Sequence, residues 1–87
     1  MTIAELRRQL LELQHLPDST LVVLAKDAEG NGFSPAVEAI PGMYLADTTW
    51  SGGHYLTEEQ RLAETDPDEW SQAPDDAMPA VFLWPVN

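Results

Sequence analysis

Five consecutive apolar residues, Leu-Val-Val-Leu-Ala at positions 21–25, constrain this chain more than any other stretch. The run is too short for a helix in a compact domain. It is rich in the branched side chains that strands favour. It lacks polar alternation, so both faces are expected to meet apolar partners, as in a central strand. The other elements are then expected to cover and extend it.

Ahead of this run, Thr2 and Glu5 have the spacing of a helix capping box. Ile3, Leu6, Leu10 and Leu13 follow at intervals of three and four, which puts them on one helical face. Pro17 stops the helix. The spacing predicts a long helix over 3–14, packed on a sheet. After the central run, residues 27–32 form a turn. Strands are expected over 33–40, with Phe33, Val37 and Ala39 inward, and over 43–48. Pro41-Gly42 is read as the turn between them. Ser51-Gly52-Gly53 marks a loop. Thr57 to Gln60 is a second capping box, opening a short helix over 58–63 with Leu62 inward. Asp66-Pro67 has the form of a further helix start, with Trp70 docked behind it. Residues 80–84 form a last strand, placed beside residues 21–25 because the two runs are the most apolar. Trp84 is expected in the core. The fold class is α+β: two layers, a mostly antiparallel sheet of three to four strands, one long N-terminal helix and a short second helical segment.

The chain has 87 residues, enough for a single small acidic domain over 1–87 with a limited core. It has no cysteine, so neither a disulfide nor a thiolate site supports it, and a cytoplasmic setting is the default expectation. Its first residues mix acid and base without a hydrophobic block, unlike a signal peptide. No stretch approaches the roughly 20 apolar residues of a membrane span. Fifteen acids face four bases, for a formal charge of −11. A hydrophobic content of 44% argues against a disordered acidic tail. Such a charge repels nucleic acid and anionic membranes and attracts basic surfaces. Arg7, Arg8, Lys26 and Arg61 are scattered, which disfavours direct binding of DNA or RNA.

Local patterns with chemical meaning are few. Asp27, Glu29, Asn31, Gly32 and Glu38 fall at the ligand spacing of an EF-hand calcium loop. Pro35 and the strand-like residues before the loop oppose that reading, and an ordinary turn needs the same residues. His54 has Asp47 and Ser51 nearby in sequence, but a catalytic triad is defined by geometry and no nucleophile elbow is present. His15 lies near a helix end and needs no further role. Carboxylate pairs such as Glu58-Glu59, Asp68-Glu69 and Asp75-Asp76 are uninformative in so acidic a chain. No catalytic, metal or cofactor residue is assigned, and a non-enzymatic role is expected. Trp50 and Trp70 flank the acidic region. They are read first as core, with interface anchors as the alternative.

Thr2-Ile-x-Glu5-Leu6, Leu13-x-x-Leu16-Pro17 with Val22-Val23, and the ending Pro79-Ala-Val-x-Leu-Trp-Pro85 resemble small uncharacterised acidic proteins encoded by bacteriophages and prophages. The resemblance covers the two ends better than the middle and brings no activity. It implies a cytoplasmic setting in a bacterial host and raises the prospect of an accessory protein acting on a host factor.

The leading expectation is therefore a non-enzymatic accessory protein that binds a basic surface of a host protein. The expected contact residues are Trp50, Glu58, Glu59, Glu64, Asp66, Asp68, Glu69, Trp70, Asp75 and Asp76. If that surface normally holds DNA, the protein acts as a DNA mimic. The alternative is a structural or self-assembling protein, a homodimer or an assembly component. A cation-binding module at residues 27–38 stands third.

Overall fold

A computed structural model describes residues 1–86. The chain is α+β. Helix α1 spans Ile3–Glu12 and α2 spans Glu58–Leu62, with a 3₁₀ turn at Pro67–Glu69. The strands are β1 (Val23–Ala25), β2 (Phe33–Ala46), β3 (Gly52–Tyr55) and β4 (Met78–Pro85). They form one sheet in which β1, β3 and β4 all pair with β2. The β1–β2 and β2–β3 pairings are antiparallel. Among the described residues no helix is long and apolar enough to cross a membrane. Contacts divide the chain into two units, Met1–Glu38 with the chain end from Trp84 (unit 1), and Ala39–Leu83 (unit 2).

In unit 1 the cap predicted at Thr2 is present: its hydroxyl accepts from the Glu5 amide at 3.2 Å. The helix has ten residues, shorter than the long helix expected, and none of them is buried. The run 21–25 is not a central strand. Only Val23–Ala25 is extended, as a strand at one end of the sheet order, in the register Val23↔Pro35 and Ala25↔Phe33. Leu21 is 77% exposed, and Phe33, Val37 and Ala39, expected inward, are exposed too. The last strand is not beside this run; β4 pairs with β2.

Between β1 and β2 the EF-hand spacing resolves into a hairpin turn. The Asp27 carboxylate accepts from the amides of Glu29 at 2.9 Å and Asn31 at 3.2 Å. Gly30 takes φ 74°, a conformation that favours glycine. Glu38 lies five residues along β2 from Phe33, about 17 Å at strand rise. The proposed ligands therefore do not converge, and among the described residues no His, Asp or Glu cluster gathers as around a metal ion.

The Asn31 amide, with that of Glu29, holds the Asp27 carboxyl below its ordinary value of 3.8. A lowered folded-state pKa gives stability that is present above the unfolded value and lost as pH falls through the folded one. Asp27→Asn should therefore lower the thermal midpoint by a constant amount between about pH 5 and 7, with the difference from the parent closing below about pH 4. Circular dichroism melts across that range check this; a gap that persists at the lowest pH would contradict it.

Unit 2 corrects two further expectations. Pro41-Gly42 is not a turn, because β2 runs straight through it. A type II turn needs φ > 0 at its third residue, and among the described residues only Gly30 has positive φ. Pro41 has no amide to donate, but its carbonyl accepts from Gln60 Nε2 at 2.7 Å. Gly42 is buried beneath the rings of Phe82 and His54. The glycine stretch after Ser51 is not a loop but β3, in the register Tyr44↔His54 and Ala46↔Gly52. The His54 ring meets Phe82 edge-on at 4.5 Å between centroids, and Tyr44 lies 6.4 Å from Phe82. Phe82 thus links the Tyr44 and His54 rings, and Ala77 is the buried apolar side chain of the unit among the described residues. In unit 1, Trp84, expected in the core, is exposed, although β4 carries it as an extended residue.

Candidate protein-binding surface

The acidic segment is built around one buried cation. Thr57 and Gln60 form the predicted capping box, with Thr57 Oγ1 accepting from the Gln60 amide at 3.1 Å and Gln60 Oε1 from the Thr57 amide at 2.8 Å. This fixes the rotation of α2. Leu62, expected inward, is 61% exposed, whereas Arg61 is 8% exposed. A buried guanidinium needs partners for its fixed fork of donors. Arg61 grips Glu58 with two bonds, Nε to Oε2 at 3.0 Å and Nη2 to Oε1 at 2.6 Å. Nη1 donates to the Pro67 carbonyl at 3.0 Å, tying α2 to the 3₁₀ turn. The hydrogen bond from Arg61 holds the Glu58 carboxyl below its ordinary range, and Glu58 raises Arg61 in turn. Glu58 and Arg61 are three apart on a helix, so the pair was available in the sequence but was not singled out.

The expected contact residues all lie in unit 2 and all are exposed. Glu58 and Glu59 occupy the first turn of α2, where the helix dipole favours anions. Glu64 follows the helix. Asp66 precedes the 3₁₀ turn and makes no side-chain cap, and Asp68 and Glu69 are in it. Asp75 and Asp76 form the turn before β4.

The tryptophans are not core. Trp70 closes the 3₁₀ turn and is 47% exposed. With Glu69 and Ser71 it lines a cleft of about 290 Å³ whose other residues are His54, Tyr55 and Leu56. Trp50 is 84% exposed at the tip of the β2–β3 hairpin, not in this cleft. Its amide donates to Thr48 Oγ1 at 3.1 Å, and the Thr48 and Ser51 hydroxyls are bonded at 2.8 Å. The structure thus brings Glu69 and Trp70 together and leaves Trp50 apart. The His54 side of the cleft was not anticipated, because its pairing through β3 was read as loop.

This surface offers carboxylates, one aromatic beside a shallow recess, and a single cation already satisfied from within. It suits charge and ring contacts with another surface. The chain matches no protein-family model, no curated protein and no solved structure.

Proposed function

We propose that the chain is a non-enzymatic accessory protein that docks unit 2 on a basic surface of another protein. The observation that carries this reading is the fate of Arg61. The one base among residues 57–76 is turned inward onto Glu58, with Asp68 also within its field, while Glu59, Glu64, Asp66, Asp68, Glu69, Asp75 and Asp76 stay exposed to water. Trp70, half exposed beside Glu69, is the natural ring to seat in a recess of the partner, where aromatics contribute disproportionately. The resemblance of the chain ends to small phage proteins makes a bacterial host factor the expected partner.

The test is a tagged pull-down from bacterial lysate at low and moderate salt, with and without duplex DNA, beside a variant carrying Glu64→Gln, Asp66→Asn, Asp68→Asn and Glu69→Gln. A stoichiometric basic protein captured by the parent and lost by the variant is the expected result. Moderate salt should weaken it, since exposed charges beyond about 10 Å are screened at 0.1 M. Release by DNA would add the mimic reading. Equal capture by parent and variant would reject the acidic contact.

A further inference from the structure

The cleft at Trp70 lies wholly within unit 2, lined by His54, Tyr55, Leu56, Glu69, Trp70 and Ser71, with a volume of about 290 Å³. Small-molecule pockets run from about 300 to 1,000 Å³, so this one is sized for a single side chain rather than a cofactor. Both of its walls are fixed from within the unit. On one, β3 carries His54 and Tyr55 in register with Tyr44 and Met43, and the His54 ring rests edge-on against Phe82. On the other, the 3₁₀ turn is closed by bonds from the Glu69 amide to the Asp66 carbonyl and from the Trp70 amide to the Pro67 carbonyl, each 3.1 Å long. Arg61 Nη1 donates to the same Pro67 carbonyl at 3.0 Å. A ligand entering the cleft therefore meets backbone that is already ordered, which lowers the cost of binding.

Resting on the docking reading above, we infer that this cleft is a site for a guanidinium group, filled in the docked complex by one arginine side chain of the partner. Trp70 supplies the ring and Glu69 the counter-charge. The first argument is the sign of the site. Glu69 is the one carboxylate in the lining, and residues Ala39–Leu83 hold nine acids and one base, a net of −8. That base, Arg61, is already bound to Glu58. An anion is repelled. An apolar side chain would strip water from Glu69 and put nothing in its place. A cation meets both conditions.

The second argument is shape. Tryptophan is the aromatic side chain that attracts cations most strongly. A guanidinium is planar, so it stacks on the ring while its fork of N–H donors reaches a carboxylate. It is also more weakly hydrated than an ammonium, and gives up its water more readily in a shallow recess. Trp50 is the more exposed ring, at 84%, but it lies outside the cleft. It is the internal control.

The experiment titrates the intact ¹⁵N-labelled chain with N-acetyl-arginine amide. It follows the indole N–H signals of the three tryptophans by NMR, with that of Trp70 assigned through Trp70→Phe. The Trp70 signal should move saturably, with a Kd of about 10–100 mM for so small a probe. The lysine counterpart, which matches the ionic strength, should bind about three-fold more weakly. The uncharged citrulline counterpart should leave the signal in place. Glu69→Gln should weaken the arginine probe about five-fold. No saturable movement up to about 300 mM would overturn the inference. So would equal binding of the arginine and citrulline probes, or an equal movement of the Trp50 signal. A basic protein captured in the pull-down beside a silent Trp70 signal would keep the docking and reject the cleft. An arginine-selective Trp70 response with no captured protein would support the guanidinium site and reject the host factor.

Discussion

Gly52→Ala is expected to lower the thermal midpoint by about 10 °C or more, while Gly53→Ala, one residue on, should leave it almost unchanged. Both glycines lie in β3. A Cβ on Gly52 would sit 2.5 Å from the end of the Tyr44 ring and closer still to the Leu45 carbonyl oxygen. That carbonyl belongs to β2, whose pairing with β3 fixes it in place. Neither group can retreat without opening the hairpin or disturbing the Tyr44–Phe82 contact. Overpacking of this kind costs about 2–3 kcal/mol. A Cβ on Gly53 meets only the Tyr55 ring, at an ordinary 3.7 Å. Thermal melts of the two variants beside the parent check the contrast. Equal midpoints would mean that Gly52 has no such confinement.

Trp70→Ala is expected to weaken binding of the basic partner by about thirty-fold, the loss of a hot-spot aromatic worth about 2 kcal/mol. Its fold should survive, because a ring that is 47% exposed contributes little packing within the chain. Trp50→Ala supplies the comparison. Trp50 stands apart from the Glu69–Trp70 cleft, so its removal should cost less than a factor of five, well below a hot spot. Calorimetric titration with the partner identified by pull-down measures both. A Trp70→Ala chain that binds as tightly as the parent would move the contact away from the cleft.

Local signals in this sequence were readable and long-range ones were not. Thr2 and Thr57 announced their helix starts because a cap depends on residues three apart. The turn at Asp27 was legible for the same reason. Pro41-Gly42 misled, since whether that pair turns or extends was settled by β3, α2 and Phe82, partners distant in the chain. The run 21–25 misled through its composition: an uninterrupted apolar stretch suggests a central strand, but its place in the sheet is set by pairing partners distant in the chain, and here only Val23–Ala25 pairs, at one end of the order. For the candidate surface, composition located the acidic segment. Which of its faces turned inward rested on Arg61, whose capture by Glu58 and the Pro67 carbonyl reversed the expected roles of Arg61 and Leu62.

The bond from the Val86 amide to the Pro35 carbonyl, 2.9 Å long, has a consequence for how unit 1 closes. Unit 1 is discontinuous, and it closes only when the segment from Trp84 onward returns to Met1–Glu38. The bond spans some fifty residues, so closing it costs loop entropy that the local β1–β2 and β2–β3 hairpins do not incur. Unit 2 is contiguous from Ala39 to Leu83, so its chain closes without recruiting a segment from the other side of the sequence.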